Sequence, residues 1–567
     1  MAESSTNDLF ALDCLSRQKR LANIRQDYEE LWKDVIDFTN LRRYNLDGTQ
    51  RKGKKVGMAI YDSTATDALR DLSDGLFGYL ISPAMQWFQL RVADEQLMKI
   101  KEIKAWLEEV SWSMYVALQR SNFYEIMPEY FQDGGSIGTA TLYSEEDIDE
   151  GRIVCTICHP GEVWVAENKY GMVDTTYRKV VLTARQAISR FGKKADLSQS
   201  LLLDIEDQTR QDNEYTFYHI VQPKVDLEMV YHNGKSYPRI AGNNKPFVSY
   251  YIQENENKIA SKSGYYSLPY QVWRWRKNSN EIYGRSPASD AIVDILTSNQ
   301  MGKTLLHAAH MAAEPPLNIP AEMKGKVRIT PRGMNYYEDQ GRVITAVQMG
   351  QGGYPVGVDR EDRVKDAIKR HFMTDFFTLL SRAAMDGRQL SVPQVMEMQG
   401  EKAVMLGTIV GRLNSECFDP FLDRVYQIEF AAGRIPPPPE LLVRTGKRVH
   451  VEYMGPLAQA QRRLFKTQGI YQGLDSLKPI LEFRADVLDN IDFDVVSKQI
   501  LEATGMPASA IKEPNVVAAE RDARAKQMEA QMQTELILKA AAQVPNISKK
   551  PEDGSPAKML MGGEQEQ

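Results

Sequence analysis

Ser286-Pro287 opens, and Pro315-Pro316 closes, a run of helical periodicity too long for one small core. Ser286 suits the N-cap and Pro287 the first helical position, where a missing N–H removes a donor that has no intrahelical partner anyway. Ile292, Ile295, Leu296, Asn299, Leu306, Ala309 and Ala313 then recur at spacings of three and four up to Glu314. Proline cannot continue the ladder, so the helix stops there. At 1.5 Å per residue it is about 40 Å long. A helix so long and so thinly apolar is not a buried strut, and we read it as one stave of a larger assembly. A β insert from Pro315 to Pro355 follows, with strands expected near Val327–Ile329, Asn335–Tyr337 and Val343–Met349. A second stave is expected from Asp359, as its cap, to Ser381.

At 567 residues the chain exceeds a single core, and three or four modules are expected. No run of about 20 apolar residues exists and the N-terminus lacks a basic region followed by an apolar one, so neither a membrane span nor a secretion signal is expected. Four cysteines, Cys14, Cys155, Cys158 and Cys417, do not make a disulfide framework. A net charge of -6 argues against a protein that grips DNA, since phosphate neutralisation needs surplus Lys and Arg at the contact. It suits a wall that DNA slides past.

In chain order, residues 1–12 read as frayed and Cys14–Thr39 as a helix; the basic segment Arg42–Lys55 reads as a loop. A second helix starts at Ser63 or Thr64, a third spans Asp94–Ser121, and a fourth from Tyr124 is expected to break at Gly134-Gly135. Strands follow at Gly138–Tyr143, Arg152–Cys158, Glu162–Ala166 and Met172–Val180, then a short helix capped by Thr183. Residues 213–275 are aromatic-rich β, in which Trp273 and Trp275 flank Arg274, a pattern with one core side and one polar side. A long helix from Ser391 to Ala432 is expected to bend at Gly400, Gly407, Gly411 and Pro420 and to stop at Gly433. Lys447–Tyr453 is a strand, Leu457–Thr504 short helices, and Val516–Gln543 a polar helix with Glu520–Arg524 and Asp522–Lys526 at i,i+4 spacing. Residues 544–567 have the composition of a disordered tail.

Enzyme-like details are few. Gly302-Lys303-Thr304 ends like a phosphate-binding loop, but Thr297 stands where that loop needs glycine, and the tripeptide lies inside a helix. His307, His310 and Glu314 share a helical face but have no evident fourth ligand. Cys155 and Cys158 point to opposite faces of a regular strand. No cofactor or metal is expected, and seven histidines in the whole chain leave little for acid–base chemistry. A nucleotide-dependent enzyme and a plain assembly scaffold stay open as alternatives.

The run from Arg274 to Asp290, with Glu281-Ile282-Tyr283-Gly284-Arg285-Ser286-Pro287-Ala288 at its centre, resembles the head-to-tail connector, or portal, proteins of short-tailed bacteriophages. Asp62-Ser63-Thr64, Ser82-Pro83 with Trp87, Phe88 and Leu90, Gly138-Thr139-Ala140, and Arg178 with Thr183–Gly192 agree in order, so that the similarity spans residues 10–540. The resemblance implies an α+β, multidomain portal fold: long stem helices with a β-containing clip, a mixed α/β wing, a helical crown and a C-terminal barrel helix. It assigns residues 1–285 to the wing, 286–313 and 359–381 to the stem, 314–358 to the clip and 382–390 to a tunnel loop. Residues 391–456 become a long bent wing helix with a return strand, and 457–543 the crown. It further implies a non-enzymatic homo-oligomeric ring of about twelve subunits, assembled in the host cytoplasm and placed at one capsid vertex of the virion. Double-stranded DNA would pass through it. The packaging ATPase (terminase), scaffolding and major capsid proteins and tail adaptors would dock on it, with no membrane involved. Arg382, Met385, Asp386 and Arg388 would touch DNA, and Lys324, Lys326, Arg328 and Arg332 in the clip would meet the ATPase, a tail adaptor or DNA backbone.

Overall fold

The computed structural model describes residues 2–43, 46, 57–192, 195–224, 229–232, 235–238, 245–254, 256–314, 317–319, 345–346, 353–375, 377, 406–455, 477, 491–503, 512 and 514–542. They fall into two units, residues 1–464 and 465–567.

The first unit mixes helices with antiparallel sheet. It opens with α1 (Ala2–Phe38), so the chain is helical from its second residue and not frayed to residue 12. Phe10 explains part of this, because its ring meets Tyr250 edge-on at 4.9 Å and ties the helix to a sheet. Helices α2 (Thr64–Leu80), α3 (Glu95–Met98), α4 (Lys101–Arg120) and α5 (Phe123–Ser136) surround strand β1 (Phe88–Val92). The expected third helix is thus two, α3 capped by the Asp94 carboxylate, which accepts from Gln96 N. Conversely α5 runs unbroken through Gly134-Gly135. These glycines are packing residues: a Cβ at 134 would strike the Trp273 ring, and one at 135 would lie 2.7 Å from Leu69 Cδ1.

Strands β2 (Thr139–Asp147), β3 (Arg152–Cys158), β4 (Val163–Glu167) and β5 (Val173–Thr183) follow. Helix α6 (Ala184–Phe191) is capped by Thr183 as expected, and the cap is a full box with Gln186; α7 (Gln199–Glu206) follows. Then come β6 (Glu214–Pro223), the ladder of β7 (Met229–His232) with β8 (Lys235–Pro238), β9 (Phe247–Gln253), β10 (Lys258–Tyr265) and β11 (Tyr270–Arg274). One sheet has the order β10-β9-β6-β5-β4 and another β11-β2-β3. Cys155 packs into the core with Trp273 and Trp275, whereas Cys158 packs into the one with Tyr143 and Tyr270, so the two thiols do lie on opposite faces of β3.

The first stave is α8 (Pro287–Asp290) joined at Ala291 to α9 (Ile292–Ala313). The segment beyond it leaves and returns as a two-strand ladder, β12 (Leu317–Asn318) against β13 (Thr345–Ala346), with Leu317 opposite Ala346. The second stave is α10 (Gly353–His371). It begins six residues before Asp359, which is therefore inside the helix and not its cap. Its continuous run is interrupted after His371, where Met373 turns to φ 55 and its N–H bonds to Arg370 O at 3.1 Å; residues 374, 375 and 377 are helical again, and the expected end at Ser381 lies outside the described residues.

Residues 406–431 form one helix whose register slips at a π-helical segment, Asn414–Phe418, before α11 (Asp419–Ala431). The slip, and not Gly407 or Gly411, marks the irregularity, and it brings Pro420 into a position where no N–H is needed. Gly433 (φ 70) ends the helix as expected. Helix α12 (Glu440–Thr445) leads to β14 (Val449–Tyr453), which pairs with β1.

In the second unit, α13 (Phe493–Ala503) and α14 (Pro514–Ala542) are described. The exposed charges of α14 reach beyond its own helix: Arg521 forks onto Asp494 at 2.6 Å and Glu520 takes Lys512 at 2.7 Å, in place of the i,i+4 partners. Among the described residues no helix is long and apolar enough to cross a membrane.

Candidate functional site

The staves rise from a foot built around Arg274. The Trp-Arg-Trp alternation predicts a core side and a polar side, and Trp273, Arg274 and Trp275 are all buried. The polar side of the strand is an internal ion lock. Arg274 Nε and Nη2 donate to Glu416 Oε2 and Oε1 at 3.2 and 2.6 Å, and its own backbone N–H donates to Glu416 Oε2 at 3.0 Å. Nη1 donates to Glu167 and to Ile282 O, and Nη2 also to Gly171 O at 2.8 Å. The five guanidinium hydrogens are thereby all spent, which is the condition for a buried arginine to be tolerated. Glu416 sits in the π-helical segment, so the register slip delivers the carboxylate that β11 needs.

Above the lock, backbone crosses backbone. Gly284 N donates to Thr139 Oγ1 at 2.8 Å, Trp275 N to Gly138 O at 2.9 Å and Arg285 N to Arg276 O at 2.7 Å. Gly138 has φ 87, and a Cβ there would meet Gly284 O at 2.5 Å, so both conformation and space demand glycine. Ser286 then caps α8 in a box with Ser289 and sends its own hydroxyl to Ser136 O at 2.6 Å. Here the local signal in the sequence and the tertiary contact coincide.

Midway, a strap of residues 59–62 crosses both staves. Asn299 Nδ2 donates to Ala59 O at 3.1 Å, and Asn299 Oδ1 accepts from Tyr61 N at 2.7 Å. Asp62 accepts from Ser298 Oγ and faces Lys365 of α10 at 3.9 Å. Gly302 lies under the strap, where a Cβ would approach Tyr61 O to 3.3 Å, and Lys303 Nζ sits over the Tyr61 ring at 5.7 Å. The Gly-Lys of the loop-like tripeptide is therefore helix surface shaped for the strap. Glu416 carries no pattern in the sequence, Asn299 figures there only as one position of a helical face and Asp62 only in the Asp62-Ser63-Thr64 match, because each acts across a long sequence separation.

The staves run antiparallel: Asp294 approaches His371 at 3.6 Å near one end, and Leu305 packs near Gly357 at the other. Their open faces differ. On α9, Val293, Leu296, Gln300, Thr304, His307 and Met311 are all exposed and recur at spacings of three and four, an uncharged stripe in which Val293 is 71% and Leu296 41% exposed. On α10 the exposed residues include Asp359, Arg360, Asp362, Arg363, Asp366 and Arg370. His310 and Glu314 are exposed near the end of α9, and among the described residues no group of three or more His, Cys, Asp or Glu is placed to hold a metal.

The residues expected to meet DNA or partners, Arg382, Met385, Asp386 and Arg388, and Lys324, Lys326, Arg328 and Arg332, lie outside the described residues.

The described residues thus give a mixed α/β unit from which two clamped, antiparallel staves extend, with exposed outer faces. The family model described as bacteriophage head to tail connecting protein matches residues 11–511, and the chain belongs to that family. It is 28% identical over 555 residues to the probable portal protein of Bordetella phage BPP-1, covering 95% of each chain. It is also 28% identical over 542 residues to the portal protein of Salmonella phage epsilon15, covering 93% of each.

Proposed function

We propose that the chain is the repeating subunit of a portal: a closed ring of about twelve copies at one capsid vertex, through which double-stranded DNA enters during packaging and leaves at ejection. The observation that carries this reading is the uncharged stripe on α9. Its exposed Val293, Leu296 and Met311 are apolar and suit a neighbouring stave better than water, with uncharged Gln300, Thr304 and His307 between them and Lys303 at the edge. In this reading α8, α9 and α10 form the stem and residues 314–358 the clip. Residues 382–390 form the tunnel loop, with Arg382, Met385, Asp386 and Arg388 at the DNA, and residues 457–543 the crown. Lys324, Lys326, Arg328 and Arg332 supply the cationic patch for the packaging ATPase, a tail adaptor or passing phosphates. The charge of -6 keeps the remaining wall from holding the duplex.

The ring is a conduit and docking platform, with no catalysis of its own. The packing of Gly302 against the strap supports this against a nucleotide enzyme, since an occupied backbone groove cannot cradle phosphate. Negative-stain images of the purified full chain are expected to contain rings with a central hole, and the same preparation is expected not to hydrolyse ATP. Monomers or open filaments at every salt concentration overturn the ring; hydrolysis abolished by Lys303→Ala overturns the non-enzymatic part.

A further inference from the structure

The chain has seven tryptophans, and six of them are buried. The seventh, Trp112 of α4, is 57% exposed, although few side chains have more apolar surface to hide. It stands one turn from Val116, which is also exposed, and its ring lies 5.5 Å from that of Tyr115, whose hydroxyl donates to Pro83 O at 2.8 Å. The indole is steadied on one side and open on the other.

Two further apolar side chains reach the surface nearby, and Arg434 ties their elements to α4. Ser113, next to Trp112 in α4, donates its hydroxyl to Arg434 O at 3.5 Å. Phe430, 46% exposed, lies in the last turn of α11 just before Arg434 and stacks on Tyr426 at 5.8 Å. Ile148, 85% exposed, is in the β2–β3 turn, which Arg434 reaches through Glu146 at 3.3 Å. The Arg434 guanidinium also forks onto Glu429 at 2.8 and 2.9 Å, so its charge is spent within the subunit. What stays unpaired around these apolar groups is acidic. Glu108 and Glu109 stand one turn before Trp112, and Asp149 stands beside Ile148; among the described residues none of the three has an ion pair. Arg152 of the same turn is taken by Glu150 at 2.7 Å, and the unpaired cations of α4 nearest to Trp112, Lys104 and Arg120, are two turns away on either side.

We propose that the face of α4 around Trp112 is a docking site for another protein, one that presents a basic amphipathic helix, with lysine or arginine beside apolar side chains. Charge selects the occupant. Unpaired acids at the rim of an apolar patch repel an acidic partner and steer a basic one. An exposed indole accepts a guanidinium or ammonium over its face, and tryptophan is a residue type on which binding energy concentrates. A second copy of this chain fits less well, because its own net charge is -6. The site lies on the helical layer beside β1 and not on the staves, so its occupancy is separate from the ring proposed above.

Acrylamide quenching of tryptophan emission in the full chain reads Trp112 first, since the other six rings are buried. The probe is a fluorescein-labelled helical peptide of leucine and lysine with one apolar face, and its counterpart carries glutamate in place of lysine. The lysine peptide is expected to bind saturably by anisotropy and to shield the emission from acrylamide, and the glutamate peptide to do neither. Trp112→Ala should weaken binding about tenfold or more. The double reversal Glu108→Lys with Glu109→Lys keeps the indole and should abolish binding, and it serves as the second variant should Trp112→Ala not fold. Equal binding of the two peptides, binding unchanged in either variant, or no binding at all overturns the proposal. So does shielding of Trp112 in peptide-free rings that is lost when the rings dissociate, which would give this face to a neighbouring copy.

Discussion

α9 and α10 share the strap and have nearly the same length, yet one presents an uncharged outer stripe and the other a face dense in charges of both signs. Within Ile292–Ala313 the only formal charges are Asp294 and Lys303, whereas Asp359–Arg370 is dense in both acids and bases, with Arg363–Asp359 and Lys365–Glu361 bridged one turn apart at 2.9 and 2.7 Å. Such exposed pairs contribute little to stability, but they keep a helix hydrated. An uncharged stripe does the reverse, and its hydration is worth removing. In the proposed ring, antiparallel neighbours of opposite habit would give each subunit one side to bury and one side to leave wet.

The comparison holds only if the foot is rigid, and the largest effect is expected there. Glu416→Gln leaves Arg274 buried with its main partner neutralised, and breaking one member of a buried pair costs about 3–5 kcal/mol. Chemical denaturation should register that loss whether or not rings form. Replacing Arg274 and Glu416 together by Met and Leu should recover much of it, because the charge and its partner leave together. If the single substitution were nearly neutral, the staves would owe their orientation to the strap and not to the lock.

Acid separates the sheets from the staves. His159, whose Nδ1 accepts from Gly161 N at 3.1 Å, is lowered to about 4 by burial and by Arg43, and His219 is lowered further by burial. For a lowered histidine the unfolded chain takes the proton first, so stability is complete above pH 6.5 and is lost as the pH falls toward 4. The slope approaches 1.4 kcal/mol per pH unit for each histidine. The pair of substitutions His159→Asn and His219→Gln should flatten the profile of unfolding free energy between pH 6.5 and 5. A profile unchanged by that pair would assign the acid sensitivity to the ionic contacts of the charged stave.

Glycine gives the next contrast. Gly134→Ala drives a methyl into the Trp273 ring beneath the foot, and overpacking of this kind costs about 1–3 kcal/mol. Gly407→Ala meets nothing within 4 Å and should stabilise its helix by up to about 1 kcal/mol. Side-by-side melting curves would show opposite signs, although in the sequence both are merely glycines inside a helical pattern.

That pair illustrates which parts of the molecule could be read in advance. Ser286-Pro287, Thr183 and Gly433 are legible because capping chemistry acts within a few residues. The aromatic β region was legible for the same reason, since strand propensity is local. The polar side of the strand at Arg274 is legible but its partners are not, because Glu167 and Glu416 lie 107 and 142 residues away, and Gly134 reads as a helix break because Trp273 is equally remote. The Asp359 cap failed because an acidic residue followed three positions later by another is also what a charged helix interior looks like. Nor did the Gly-Lys-Thr of α9 reveal its strap, which belongs to residues 59–62.

The smallest effect on the subunit is the most informative about the assembly. Leu296→Ser and Met311→Ser alter two members of the uncharged stripe, and exposed substitutions of this kind change subunit stability by less than about 0.5 kcal/mol. Arg363→Ser on the other stave should be equally quiet, since its i,i+4 pair is exposed. The two classes are expected to part company in analytical ultracentrifugation of purified protein. Loss of the stripe should move the population from rings toward free subunits in proportion to the apolar area withdrawn, whereas loss of Arg363 should leave ring formation intact and change only its dependence on salt. Were Arg363→Ser to dissolve the rings while the stripe variants left them whole, the charged stave would be the one that neighbours grip, and the assignment of wet and buried faces would have to be exchanged.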